Sequence, residues 1–180
     1  MRANLLGLWA AALLLYAALP SAKCFAADTA APDLGPESAA MARGDFKEAR
    51  RLAIPLAGKG DAQAEHDLGL MYSMGWGVQQ DFGQAAAWYE KAADQGLEAA
   101  ENNLGTLYLH GSGVTKDYAR ALYWFQKAAD QGAAQAEFNL GEMYENGLGV
   151  PQDYKEAAER YRKVAVGALN QWVQANTPRP

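Results

Sequence analysis

The chain repeats itself every 36 residues without a slip in register, and no other property constrains its fold as tightly. Leu68-Gly69 returns as Leu104-Gly105 and Leu140-Gly141, Tyr72 as Tyr108 and Tyr144, Val78 as Val114 and Val150, and Asp81 as Asp117 and Asp153. Further on, Ala85, Trp88, Tyr89 and Ala92 return as Ala121, Trp124, Phe125 and Ala128, and then as Ala157, Arg160, Tyr161 and Val164. Half a unit precedes the first full one, because Asp45, Ala49, Leu52, Ala53 and Leu56 stand 36 positions before Asp81, Ala85, Trp88, Tyr89 and Ala92. A unit this short cannot cover its own apolar surface. It must lean on its copies and share a core that runs along the array.

Each unit carries two apolar stripes of helical period. Ala64, Leu68, Met71 and Tyr72 fall at i, i+4, i+7 and i+8, and Ala85, Trp88, Tyr89 and Ala92 at i, i+3, i+4 and i+7. Both stripes predict amphipathic helices of about four turns. The segments "GWGVQQD", "GSGVTKD" and "GLGVPQD" join them. In the first, Gly75 and Gly77 end a helix, Val78 drops into the core of the pair, and Asp81 caps the next helix. Gln84 follows Asp81, Glu156 follows Asp153 and Glu48 follows Asp45 at capping-box spacing, whereas Arg120 leaves the Asp117 box half made. Gly60, Gly96 and Gly132 close the second helices. Gly69, Gly105 and Gly141 lie inside the first ones, where glycine costs roughly 1 kcal/mol against alanine and only a packing gain offsets it. Pro55 falls inside the helix that starts at Asp45 and predicts a kink or a shortened helix.

Residues 1–27 read as a secretory leader: Arg2 is the positive start, Leu5 to Leu19 the apolar run and Pro20 to Ala27 the small-residue exit. The run is about 15 residues, short of the roughly 20 that span a bilayer, so the mature chain is expected not to insert in a membrane. Cys24 raises lipid attachment, but Lys23 before it departs from the small residue that lipoprotein sites resemble one another in having. If the leader is removed near Ala26 or Ala27, the chain keeps no cysteine, and disulfides, thiolate nucleophiles and cysteine metal sites go with it. The 16 basic residues fall to 14 against 21 acidic ones, a surface that repels nucleic acid and anionic lipid.

The pattern "LGTLYLHGSGVTKDYARALYWFQKAADQG" at 104–132 resembles the Sel1-like repeat, a 36-residue relative of the tetratricopeptide repeat, and the likeness extends over about residues 37–168. It implies an all-α, right-handed α-solenoid of stacked antiparallel helix pairs, of an exported bacterial type. The expected organisation is a leader at 1–27, a flexible linker at 28–36, cap helices at 37–60, repeats at 61–96, 97–132 and 133–168, and a tail at 169–180. Arg160 and Ala168 depart from the pattern in the last unit, as a terminal cap would.

Catalytic constellations are almost absent. His66 and His110 have no ligand spacing, no serine begins S-x-x-K or sits in G-x-S-x-G, and the paired glycines follow helices and lack the lysine of a phosphate loop. Neither a metal nor a cofactor is expected, and Glu98 and Glu101 read as solvated helix face. What remains is a stripe on the first helices: Gln63, Asp67, Leu70 and Met74, then Ala99, Asn103, Thr106 and His110, then Gln135, Asn139, Glu142 and Asn146, with His66, Asn102 and Phe138 beside it. The resemblance implies that this stripe lines a concave groove, and that the residue before Leu-Gly bonds a guest peptide's backbone; Asn103 and Asn139 match, whereas Asp67 departs. The stripe carries no lysine or arginine, which argues against a partner that offers a bare carboxylate. On this reading the chain is a non-enzymatic protein-binding module of the periplasm or cell exterior, and Asn139→Arg abolishes capture with the fold intact. Similar proteins bind sensor kinases or organise envelope and polysaccharide assemblies. Some cysteine-rich relatives are connected with β-lactam binding or hydrolysis, but this chain lacks their paired cysteines.

Overall fold

The computed structural model describes residues 35–176, which belong to one unit that runs from Leu34 to Pro180. The leader, Cys24, most of the linker and residues 177–180 lie outside the described residues. Among the described residues eight helices follow one another: α1 Pro36–Ala42, α2 Phe46–Ala57, α3 Ala62–Met74, α4 Phe82–Asp94, α5 Glu98–His110, α6 Tyr118–Asp130, α7 Ala134–Asn146 and α8 Tyr154–Asn176. No strand occurs among the described residues. The helices α3 with α4, α5 with α6 and α7 with α8 form pairs, and each pair packs on the next through α4–α5 and α6–α7. The shared interior divides into one apolar cluster around Ala53, Leu68 and Met71 and a larger one that runs from Ala85 through Phe125 to Met143.

Aspartates start the helices as the spacing predicts. Asp45, Asp81, Asp117 and Asp153 each accept a backbone hydrogen bond from the residue three further on, at 3.0 to 3.2 Å. The return half of the capping box is replaced. Glu48 takes two bonds from Arg51 and Glu156 one from Arg160, because a guanidinium offers a stronger, charged donor than a backbone N–H. The helix with Pro55 runs on to Ala57, one residue short of the length of α4. At the other end, α8 continues unbroken to Asn176 through residues that the sequence reads as tail.

Two close approaches explain the glycines. A Cβ built on Gly105 would stand 2.8 Å from the ring of Phe125, which is fully buried, and the same ring-over-glycine contact joins Gly69 to Tyr89 and Gly141 to Tyr161. The second-helix aromatic thus seats on the bare backbone of the first. Gly113 holds φ at +71° and lies against the backbone of Phe82 and Gly83, at the start of the previous pair's second helix. Gly77 approaches Phe46 and Gly149 approaches Tyr118 in the same way. The turn is closed by the N–H of Asp81, Asp117 or Asp153, which donates to the carbonyl of Tyr72, Tyr108 or Tyr144 at 2.9 to 3.0 Å.

Gly105→Ala gains about 1 kcal/mol of helix propensity but forces a methyl into a full core, an overpacking that costs about 1 to 3 kcal/mol. We expect a net loss, read as a lower urea midpoint; an unchanged or higher midpoint would show that the ring can move aside. Trp124, 9% exposed, meets Tyr123 edge-on at 4.9 Å between centroids. Trp124→Ala should cost about 3 to 5 kcal/mol in the same unfolding measurement.

Candidate functional site

The first helices α3, α5 and α7 stand side by side, so equivalent side chains of successive repeats meet. Asn103 Nδ2 lies 3.1 Å from His66 Nε2, and Asn139 Nδ2 donates to Asn102 Oδ1 at 2.9 Å. The position before Leu-Gly therefore reaches back to its predecessor's neighbouring residue, once from α5 to α3 and once from α7 to α5. Because an amide nitrogen only donates, His66 accepts at Nε2 and carries its proton on Nδ1. That atom lies 3.5 Å from Asp67 Oδ1, close enough for attraction but too long for a good hydrogen bond. Asp67 in turn accepts from Gln63 at 2.9 Å and from Ser38 of α1 at 2.7 Å. Burial alone would raise the Asp67 carboxyl, but the nearby His66 ring and the bonds from Ser38 and Gln63 outweigh it and hold the group below its ordinary value.

The expected site residues thus divide into two groups. His66, Asp67 and Asn139 are buried, Asn102 and Asn103 half-buried, and all five bond between helices or sit beside such bonds. The amide nitrogens of Asn103 and Asn139, expected to meet a guest's backbone, are engaged by the protein itself. Asn139 is only 8% exposed, so an arginine there would disturb the packing between α5 and α7 as well as any capture. Outside this band, Met74 is 56% and Phe138 42% exposed, and His110 and Asn146 are exposed. Leu70, Thr106 and Glu142 are half-buried. Leu70 packs against the larger core cluster, and Thr106 bonds back to the Asn102 carbonyl at 3.0 Å. Asn146 donates to the Glu142 carbonyl at 2.9 Å, and the Phe138 ring lies 5.4 Å from that of Tyr161. Among the described residues no group of three histidines, cysteines or acids could hold a metal ion.

Sequence reasoning missed a second row of polar residues. Glu101 is fully buried instead of solvated: Gln131 Nε2 donates to it at 2.8 Å and Lys127 Nζ stands 3.1 Å away. Glu65 accepts from Gln95 at 2.7 Å. At Glu137 the glutamine position has become Gly167, and Arg160 and Lys163 take over, each at 3.1 Å. The arginine that stands where the other repeats have tryptophan is therefore an ion-pair partner. The signal was present, since Glu65, Glu101 and Glu137 recur at 36 residues.

The Sel1 repeat model matches residues 62–97, 98–132 and 134–163. The chain belongs to the Sel1 repeat family. Sel1 repeats generally mediate protein–protein interaction. Among solved structures, this Sel1 chain is similar to a protective antigen present in uropathogenic Escherichia coli strains that displays an SLR fold, at 42% identity and a TM-score of 0.66, over 68% of this chain and 26% of that one. It is also similar to a Sel1 repeat protein from Oxalobacter formigenes, at 32% identity and a TM-score of 0.68, over 75% of this chain and 56% of that one. It spans about a quarter of the first neighbour and little more than half of the second. No curated protein matches it.

The Asp67 carboxyl is depressed in the folded chain, so its stabilising effect is full above its ordinary value of 3.8 and is lost as pH falls through the lower folded value. Asp67→Asn should be less stable than the parent at neutral pH, and the gap should narrow at about pH 3 in urea titrations. A gap that does not change with pH would refute the carboxylate's part in docking α1. Asn139→Arg should lower the melting temperature, because it breaks the Asn102 bond and buries a charge.

Proposed function

We propose that this Sel1 repeat chain is an exported, non-enzymatic interaction module that receives a partner protein on the face of its first helices. The observation that carries the reading is the exposure of two large apolar side chains, Met74 and Phe138, on a face whose helices are tied together by part-buried bonds. Exposed apolar groups on a fixed frame suit docking, because little order has to be gained on binding. His110, Glu142 and Asn146 supply the polar rim. The face has no lysine or arginine, so it suits a partner segment that is apolar with neutral or basic flanks.

The leader-like residues 1–27 support export, with domains as the spacing predicts: cap helices at 37–60 and repeats at 61–96, 97–132 and 133–168. The likeness to a protective antigen agrees with a place in the envelope or outside the cell. The alternative role is that of a periplasmic regulator of a sensor kinase or of polysaccharide and envelope assembly, in which the same face would meet its partner. Three repeats make a short face, so one segment should bind in the micromolar range unless a larger assembly adds contacts.

The test is photo-crosslinking in the native envelope with the photoreactive group at Met74 or Phe138, set against the same group at Glu90 on α4. Adducts specific to the first two sites, lost in Met74→Asp with Phe138→Asp while circular dichroism stays unchanged, are the expected result. Equal adducts from all three sites would overturn the assignment of this face. N-terminal sequencing of the protein from the periplasm should begin near Asp28, and a start at Met1 would refute export.

A further inference from the structure

The helix α8 has 23 residues where the other helices of the pairs have 13, about 34 Å against 20 Å at 1.5 Å per residue. Its last thirteen residues, 164–176, carry no charge. In the earlier repeats the outward face of the second helix is covered by the helix that follows: Ala86 is 6%, Ala93 0% and Ala129 7% exposed. The matching residues of α8, Ala158 and Ala165, are exposed, and beyond them Val166 is 43%, Leu169 59% and Trp172 64% exposed. Among the described residues α8 thus leaves open the same kind of surface that the earlier second helices bury.

The residues of that surface say what covers it. Ala158, Arg162, Ala165, Leu169, Trp172 and Asn176 follow one another at steps of four and three, the 3.5-residue seam of paired helices. Its small residues Ala158 and Ala165 lie towards one end and its large apolar ones, Leu169 and Trp172, towards the other, so a reversed copy sets large against small at Leu169 and Ala165. Turned end for end about Gly167, a second α8 sets Leu169 over Ala165 and Trp172 over Arg162, where a guanidinium can lie on an indole face. The uncharged stretch brings no like charges together. The opposite end of the stack is closed: α1 lies on α2 and α3, with Ala40 fully buried and Ser38 bonded to Asp67. A head-to-tail partner would find that end already occupied, which leaves the two-fold arrangement.

We propose that α8 is a dimerisation helix, and that two copies of this chain pair antiparallel through Ala158, Ala165, Leu169 and Trp172. The pairing joins two first-helix faces in one particle and uses neither of them.

Light scattering on the chain without its leader, at micromolar concentration, should give twice the monomer mass, and raised salt should not abolish it, because Ala158, Ala165, Leu169 and Trp172 are uncharged. Leu169→Asp and Trp172→Ala should each halve the mass with helical circular dichroism unchanged. Should Leu169→Asp fail to fold, Trp172→Ala decides, since that side chain is mostly exposed and its removal leaves the repeat interior untouched. A parent of monomer mass, a mass above two copies, or a doubled mass that survives Trp172→Ala would each overturn the proposal. None of these outcomes depends on a partner protein.

Discussion

Everything in this chain depends on an aromatic ring lying on a bare piece of helix backbone. Tyr89 on Gly69, Phe125 on Gly105 and Tyr161 on Gly141 set how closely the two helices of a pair approach. That closeness lets the small residues between pairs, Ala93 and Ala129 among them, be buried by the next helix. An internal glycine costs a helix about 1 kcal/mol against alanine, and in all three pairs the seated ring is what stands against this cost. Without it, the pairs would splay and the shared interior would open to water.

The polar groups of the interior depend on the same spacing. Once α3, α5 and α7 stand close together, side chains that would be hydrated on a lone helix lose water and must find partners inside. Asn103 finds His66, Asn139 finds Asn102, and Asp67 finds Ser38 and Gln63. The glutamates on the other side find Gln95, Gln131 or the Arg160–Lys163 pair. These bonds add specificity of register more than net stability, because each replaces a bond to water.

What the sequence made legible was whatever a single helix pair decides for itself. The caps at Asp81, Asp117 and Asp153, the left-handed glycines of the turns and the apolar stripes each follow from local spacing, and each stands where that spacing puts it. Polar residues were read less well, since their fate depends on a neighbouring pair. Glu101 and Glu98 look alike along the chain, yet one is fully buried and the other exposed, because α6 and the glutamine after it close over only one of them. Asn139 matches a peptide-binding position in the resembling folds but is engaged by the preceding helix. The length of α8 was hidden by two prolines and several amides, which suggest a tail, although the first of those prolines comes only at residue 178.

The seat of Gly113 against the backbone of Phe82 and Gly83 reaches beyond this chain's three repeats. There the offset from one unit to the next is fixed by main chain on main chain, so surface side chains can drift without changing it. A lineage built this way can lengthen or shorten only by whole units, and each added unit inherits the same pitch. Two such proteins of different length would then present the same curvature, and would differ only in how much of a turn they complete.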